Sequence, residues 1–312
     1  MAENKKIATR EAYGNALAEL GETDKNIVVL DADLSKSTKT DAFKKKFPER
    51  HINMGIAEAN MMSTAAGLAA CGKTVFASSF AVFAAGRAFE QIRNSICYPK
   101  LNVKIGATHA GISVGEDGGS HQAVEDIAIM RALPNMVVIS PCDAEESKQA
   151  VIAAAKYDGP VYLRFGRLAV PSVYDEGACP FEIGKGITLR EGKDVTIVTT
   201  GLMVQESIKA AELLKEKGID AGIIDIHTIK PLDREIIAAA AAKTGKIVTV
   251  EEHNIVGGLG SAVAEVIAEE APAKLLRIGI EDKFGKSGTP AALLDDYGLT
   301  AEKIAGRVEK FI

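Results

Sequence analysis

The chain has 312 residues, of which 47% are apolar and 25% are charged, and 37 basic against 42 acidic side chains leave a net charge of −5. These values are typical of a soluble protein of about two domains, and they disfavour nucleic acid as the main partner, because phosphate backbones require a basic surface. The apolar runs are too short for a membrane span, and we expect no secretory signal in the polar N-terminus. The four cysteines form no CxxC pair, which indicates reduced thiols in a cytoplasmic protein.

The first half of the chain alternates short β-branched runs with longer Ala-rich runs. Short, continuous apolar strands between helices predict an α/β fold, with a doubly wound and mainly parallel sheet covered on both faces. The predicted elements are strands at 26–31, 74–79, 103–108, 136–140 and 161–165, and helices at 57–70, 84–96, 124–131 and 144–156.

The alternation stops at residues 168–193, which are rich in Pro and Gly and carry mixed charge. This composition predicts an interdomain linker that includes a short hairpin. A second doubly wound unit follows, so we expect domains at 1–172 and 193–312 with a linker at 173–192. Its predicted strands are 195–199, 222–226, 247–250 and 274–278, and its predicted helices are 204–217, 235–242 and 260–270.

Polar residues follow the first predicted strand, where open parallel sheets bind their ligands. Asp31, Asp33, Ser35 and Ser37 leave this strand together. One interpretation is a ligand site, and the other is helix capping with a turn, because Asp and Ser favour both positions.

Glu58 begins a predicted helix whose next residues are almost all small or apolar. A buried carboxylate in such surroundings has a raised pKa and needs a specific partner. The alternative is a solvated glutamate that favours the helix dipole from the first turn.

The segment 108–122 is the richest in chemical groups, with two histidines, two acids and four glycines after a predicted strand. Glycines permit positive φ angles and close approach of a ligand, while paired imidazoles and carboxylates suit proton transfer or polyol binding. The segment lacks the close ligand spacing of a zinc site. A plain turn-rich loop is the structural alternative.

Arg164 and Arg167 follow the last strand of the first half. Arginines at a strand end suit bidentate hydrogen bonding to a carboxylate or phosphate. The alternative interpretation is a pair of structural salt bridges.

Taken together, these segments resemble the C-terminal half of transketolase over essentially the whole chain. The resemblance rests on Ile7-Ala-Thr-Arg10, Asp31-Ala-Asp33-Leu with Ser37, Gly55-Ile-Ala-Glu58, the segment 79–86 and the loop from Thr108-His109 through Gly-Glu-Asp-Gly to His121-Gln122. It implies a pyrimidine-binding domain followed by a C-terminal domain. The Gly-Asp-Gly…Asn motif for the cofactor's diphosphate is not found, so the resemblance implies a split enzyme.

The resemblance also implies roles at the cofactor. Glu58 matches the glutamate that bonds the aminopyrimidine ring nitrogen of thiamine diphosphate, and Phe80 and Phe83 match the aromatic residues around that ring. Asp33 matches an acid on the cofactor side, and His121 matches a histidine that transfers a proton or polarises the sugar. The sequence departs from its relatives at Ala77, where some carry a further aromatic residue.

Other matches imply roles at the substrate. Asp117 matches a residue that binds a sugar hydroxyl. Arg167 is preferred to Arg164 by its ungapped distance from Pro160, although either remains open. Gly119-Ser120 replaces the Pro-Thr of relatives and is expected to loosen the loop. The implied phosphate-binding set is Arg10, Ser37, His109 and Arg167.

The implied reaction is thiamine-diphosphate-dependent transfer of a two-carbon ketol unit between sugar phosphates. No metal ligand is assigned to this chain, because Mg²⁺ or Ca²⁺ is expected on an N-terminal partner subunit in an α₂β₂ assembly. The alternatives are an enzyme like deoxyxylulose-phosphate synthase, a β-subunit like that of two-oxoacid dehydrogenases, or a non-catalytic subunit. His109 favours transketolase over the synthase, and the loop 115–122 disfavours the dehydrogenase.

Overall fold

A computed structural model describes residues 6–312. In its first half, two π-helical segments, Phe83–Arg87 and Gln91–Cys97, replace the regular helix predicted at 84–96. The other elements are, in chain order, β1 (Ile7–Ala8), α1 (Thr9–Thr23), β2 (Ile27–Asp31), α2 (Ser35–Thr38), α3 (Asp41–Lys46), β3 (His51–Asn53), α4 (Glu58–Ala70), β4 (Thr74–Phe80), β5 (Val103–Thr108), α5 (Asp126–Arg131), β6 (Val137–Ile139), α6 (Ala144–Lys156), β7 (Val161–Arg164) and β8 (Ala169–Val170).

The second half continues the alternation of strands and helices. Its elements are β9 (Ile187–Arg190), β10 (Val195–Thr199), α7 (Met203–Glu216), β11 (Ala221–Asp225), β12 (Thr228–Lys230), α8 (Arg234–Thr244), β13 (Lys246–Asn254), α9 (Leu259–Glu269), β14 (Lys274–Ile280), α10 (Pro290–Asp296) and α11 (Ala301–Phe311). None of the helices among residues 6–312 is long and apolar enough to cross a membrane.

Two mainly parallel sheets confirm the predicted α/β class. The first has seven strands in the order β12-β6-β7-β5-β4-β2-β3, and the second has five in the order β14-β13-β10-β11-β9. Strands β2, β4 and β5 are buried along their whole length, as expected for strands covered by helices on both faces. β9 and β12 are antiparallel edge strands. β12 crosses from the second half of the chain into the first sheet and so fastens the halves together.

The predicted hairpin at 168–193 is wrong. β8 pairs with β1, and β9 pairs with β11, so the two strands in this stretch belong to different sheets. The Pro and Gly content marks the turns correctly, but pairing partners far along the chain leave no local signal in the sequence.

Candidate active site

The polar segments singled out in the sequence meet at one edge of the first sheet. The parallel register places Asp31 beside Asn53 and Ser78, Phe80 beside Thr108, and Ala107 beside Arg164. Because parallel strands end at the same edge, the segments after β2, β4, β5 and β7 are neighbours. The structure therefore brings together residues that the sequence separates by more than 100 positions.

Glu58 is buried, with 4% of its surface exposed, at the first position of α4. Its Oε1 accepts a hydrogen bond from Ser79 Oγ at 3.4 Å, and the Arg87 guanidinium lies 3.4 Å from both carboxylate oxygens. The prediction of a buried carboxylate with a specific partner is confirmed. Arg87, which stands four positions after Phe83, carries no signal in the sequence that would mark it as this partner.

Aromatic rings form one wall beside this carboxylate. Phe80 and Phe83 are stacked, with centroids 5.8 Å apart and planes 11° apart. The imidazole of His109 stacks on the Phe80 ring, with centroids 3.7 Å apart. The imidazole of His121 meets the Phe83 ring edge-on, with centroids 5.3 Å apart. The two phenylalanines and two histidines predicted from the sequence thus form one cluster.

The His109 backbone is unusual, with φ at +58°, a region that few non-glycine residues adopt. Its Nδ1 lies 2.9 Å from Thr108 Oγ1, and its Nε2 lies 3.3 Å from Arg10 Nη1. Burial lowers the pKa of His109 to about 3, helped by the charges of Arg10 and Arg167. Because an arginine can only donate, Nε2 accepts from Arg10, and the imidazole proton lies on Nδ1.

Two guanidinium groups approach this histidine. Arg10 Nη1 donates to the Ser37 carbonyl at 2.7 Å, and burial lowers the pKa of Arg10, with a further contribution from the nearby Arg167. Arg10 Nε is buried without a hydrogen-bond partner in the part of the chain that the structure describes. Arg167 is partly exposed, at 38%, and its nearest acid is the exposed Glu116 at 3.3 Å. The neighbouring charges of Arg10 and Arg167, together with the unpaired Nε–H of Arg10 among the described residues, favour binding of an anion beside His109.

Arg164 has a different place from Arg167. It is buried between the two halves of the chain, where its Nε and Nη2 donate to the Asp126 carboxylate at 2.8 and 3.2 Å. Its Nη2 also donates to the Glu252 carbonyl at 3.0 Å. Two nitrogens of this buried guanidinium are paired within the protein, so the structural alternative fits Arg164, whereas Arg167 is the more exposed of the two arginines.

The two acids after β2 also differ. Asp31 is fully buried and accepts hydrogen bonds from the hydroxyls of Thr38 and Thr40 at 2.6 and 3.0 Å and from the Leu34 N–H, so it holds the turn after β2 and has a structural role. Asp33 is exposed, with φ at +63°. Asn53 holds Asp33 through two hydrogen bonds, at 3.1 Å to its N–H and 2.8 Å to its carboxylate. Asn53 carries no signal of its own in the sequence.

The loop containing Asp117 and His121 rests on the second half of the chain. Gln122 Nε2 donates to the carbonyls of Ile112 and Lys286, each at 3.0 Å. Gly285 lies so close to Gln122 that a Cβ on Gly285 would be 1.7 Å from Gln122 Oε1. We call these contacts of Gln122 with residues 285–286 the loop clasp. Asp117 is exposed and His121 half-buried, so the loop presents both outward.

A second group of buried titratable residues lies where α6, β11 and the segment after β8 meet. Side-chain atoms of Cys142, Glu146 and Asp225 lie within 4.8 Å of one another, and Tyr174 donates to Asp225 at 2.9 Å. Burial raises the pKa of Asp225 to about 6 and raises that of Glu146 well above its usual range. Desolvation disfavours the charged form of both carboxyls, the charge of Asp225 adds to this effect at Glu146, and two such adjacent groups favour sharing a proton.

Family models match nearly the whole chain. Residues 5–172 match the transketolase pyrimidine-binding domain, and residues 184–304 match the transketolase C-terminal domain. A transketolase C-terminal section of Methanocaldococcus jannaschii is 57% identical over 96% of this chain and 94% of its own length. A 6-deoxy-6-sulfo-D-fructose transketolase subunit of a Clostridium strain is 43% identical over 95% of this chain and 91% of its own length.

Longer relatives match over part of their length. Human transketolase is 39% identical over 98% of this chain, which spans 49% of the human protein. Among solved structures, a split-gene transketolase described as an inactive β4 tetramer is 56% identical, with a TM-score of 0.90 over 98% of both chains. A Pichia stipitis transketolase with bound xylulose 5-phosphate superposes with a TM-score of 0.83 at 25% identity, over 99% of this chain and 46% of the other.

Proposed function

Because the chain belongs to the transketolase family, we propose that it is the C-terminal half of a two-chain enzyme that transfers a two-carbon ketol unit between sugar phosphates. Residues 1–172 serve as the pyrimidine-binding domain, 173–192 as a linker and 193–312 as the C-terminal domain. Two relatives support this proposal, since one is described as a transketolase C-terminal section and the other as a transketolase subunit, and the match covers 94% and 91% of their own lengths.

The described residues fit the aminopyrimidine of thiamine diphosphate. A buried carboxylate, Glu58, stands beside the stacked rings of Phe80 and Phe83, and an aminopyrimidine is a flat ring with a nitrogen that can share a proton. When bound, the cofactor supplies a carbanion and stabilises the intermediate after the ketose bond breaks. Glu58 holds the proton at the ring nitrogen, the two phenylalanines orient the ring, and Asp33 lies on the cofactor side.

The cations at the other end of the cluster fit the phosphate of a sugar. Arg10 and Arg167 supply charge-assisted hydrogen bonds, and Ser37 lies beside them. His109 is neutral, and its Nε2 accepts from Arg10, so it orients that guanidinium toward the phosphate. Between the two ends, His121 moves or holds a proton at the reacting sugar oxygens, and Asp117 accepts from a sugar hydroxyl.

The diphosphate and its Mg²⁺ or Ca²⁺ belong to the partner in this proposal. The partner is an N-terminal subunit, assembled with this chain as α₂β₂ in the cytoplasm. A similar protein, a split-gene transketolase, has a solved structure described as an inactive β4 tetramer. This description supports the proposal that the enzyme needs a second kind of subunit.

Two other functions fit less well. A 1-deoxy-D-xylulose-5-phosphate synthase of Desulforudis audaxviator is 34% identical over 97% of this chain, but Thr108-His109 stands where such synthases carry an acidic–basic pair. A non-catalytic subunit would not require a buried Glu58 carboxylate, a His109 with positive φ and two neighbouring guanidinium groups at one sheet edge. The observation that supports catalysis most directly is this continuous arrangement from Glu58 to Arg167.

The proposal is tested by purifying the chain with its N-terminal partner and assaying xylulose 5-phosphate with ribose 5-phosphate, thiamine diphosphate and Mg²⁺. We expect a seven-carbon ketose phosphate and a three-carbon aldose phosphate as products. A purified complex that binds the cofactor but transfers no ketol unit between any phosphorylated sugars would overturn the proposed reaction.

A further inference from the structure

Arg87 makes two contacts at the candidate cofactor site. Its Nη1 lies 3.4 Å from each oxygen of the Glu58 carboxylate, and its guanidinium carbon lies 4.1 Å from the centroid of the Phe83 ring. Phe83 in turn is stacked with Phe80. One flat, cationic group is therefore placed on the aromatic wall and against the buried carboxylate at the same time.

These are the contacts assigned to the aminopyrimidine in the proposed function. An aminopyrimidine and a guanidinium are both planar, both stack on aromatic faces and both offer N–H donors to a carboxylate. Glu58 is 4% exposed, so it has little open surface for a second planar donor while Arg87 is in place. The two groups therefore compete for one position.

Arg87 is free to leave this position. Its side chain is 53% exposed, its contacts with Glu58 are long, and it ends the π-helical segment Phe83–Arg87. π-Helical turns are uncommon and occur often at functional sites. A partly exposed ion pair of this kind contributes modest stability, so it can be exchanged for a ligand.

We propose that Arg87 occupies the pyrimidine position in the chain without its cofactor and must swing away before thiamine diphosphate binds. This inference rests on the proposed function. It makes Arg87 a residue that sets cofactor affinity, because the observed dissociation constant equals the intrinsic one divided by the fraction of molecules in which Arg87 has moved away. The same contact keeps the buried Glu58 carboxylate partnered when no cofactor is present.

The test is a calorimetric titration of the chain, assembled with its N-terminal partner, with thiamine diphosphate and Mg²⁺. Arg87→Ala is expected to lower the dissociation constant about three- to tenfold, the effect of removing a modest competing ion pair. Arg93→Ala is the matched control, because Arg93 lies on the following π-helical segment and pairs with Glu90 instead of Glu58. The Arg93→Ala complex should bind thiamine diphosphate with the dissociation constant of the wild type.

A second variant guards against misfolding. Arg87→Gln keeps a polar, unbranched stem while removing the charge, and it should also bind the cofactor more tightly than the wild type. If the folded Arg87→Ala and Arg87→Gln complexes bind thiamine diphosphate as the wild type does, or more weakly, the proposed role of Arg87 is overturned but the proposed function is not. A wild-type complex that takes up no thiamine diphosphate would overturn the proposed function as well.

Discussion

The imidazole of His109 lies on the ring of Phe80, with centroids 3.7 Å apart and planes inclined by 24°. On one side of this pair, Phe80 stacks with Phe83 beside the Glu58 carboxylate. On the other side, His109 Nε2 meets Arg10 at 3.3 Å. The pair therefore joins a carboxylate-and-aromatic end suited to a cofactor ring with a cationic end suited to a phosphate.

Glu58→Gln tests the cofactor end. The amide has nearly the same shape but cannot take and return a proton at the aminopyrimidine nitrogen, so turnover of the assembled complex should fall by orders of magnitude with the fold intact. Steady-state assays measure the turnover, and circular dichroism shows whether the fold is retained. Glu90→Gln, at an exposed ion pair, is the control. Near-normal turnover of Glu58→Gln would refute the assigned role.

His109→Asn tests the phosphate end. Asparagine tolerates the positive φ at this position, so the backbone is retained while the imidazole is lost. The lost hydrogen bond from the Arg10 guanidinium to Nε2 is of the kind that contributes about 1.5–3 kcal/mol, and without it Arg10 is no longer held toward the phosphate, so KM for a phosphorylated acceptor should rise roughly ten- to a hundredfold. KM for the unphosphorylated aldose is the internal control and should not change. Equal KM values for the wild type and the variant with every sugar phosphate would count against this role.

The buried carboxyls Glu146 and Asp225 predict a pH dependence of stability. Both have pKa values raised by burial, to about 6 for Asp225, so the folded state binds more protons than the unfolded state. Their contribution is fully present below about pH 4 and is lost as pH rises through 6, by at most ~1.4 kcal/mol per pH unit for each group.

Glu146→Gln should flatten this dependence because it removes one titrating group. Urea unfolding between pH 4 and 8 measures it, and the exposed Glu216→Gln serves as the control. If Glu146→Gln and the wild type lose stability along the same slope, the carboxyl pair does not share a proton as described.

Gly285→Ala tests the loop clasp. A Cβ at Gly285 would lie 1.7 Å from Gln122 Oε1, so the Gln122 amide must shift, which disturbs its bonds to Ile112 and Lys286 and loosens the loop of Asp117 and His121. Displacement of catalytic groups by about 1 Å can cost up to ~100-fold, so kcat should fall roughly ten- to a hundredfold. Cofactor affinity should remain, because the clasp does not contact Glu58, Phe80 or Phe83.

Gly306→Ala is the matched control for the clasp. Nothing lies within 4 Å of a Cβ at Gly306 in α11, and the substitution should leave kcat unchanged. If both glycine variants turn over at the wild-type rate, the second half of the chain does not position the loop.

The sequence indicated the fold class and most of the strand ends, because buried strands between Ala-rich helices leave a clear pattern. It also indicated which segments carry the site, since polar residues follow apolar runs at Asp33 and at His109. What it could not reveal are contacts between distant positions. Arg164 and Arg167 look alike in the sequence, and only the buried Asp126 separates their roles.

Arg87 and Gly285 illustrate two further limits. Arg87 reaches Glu58 from a π-helical segment that the Ala-rich pattern predicted as a regular helix. Gly285 lies 163 positions after Gln122, as the numbering shows, and nothing local marks it as a contact of the loop. Both depend on tertiary packing, which sequence periodicity does not encode.

If this chain provides half of an active site, ketol transfer depends on the other half. This dependence is measured by titrating the purified N-terminal partner into the chain at fixed thiamine diphosphate, Mg²⁺ and sugar phosphates, while recording ketol transfer. We expect no transfer by either chain alone and a rise to a plateau at one partner per chain. Full turnover by the chain alone, with no partner detectable by mass spectrometry, would contradict it.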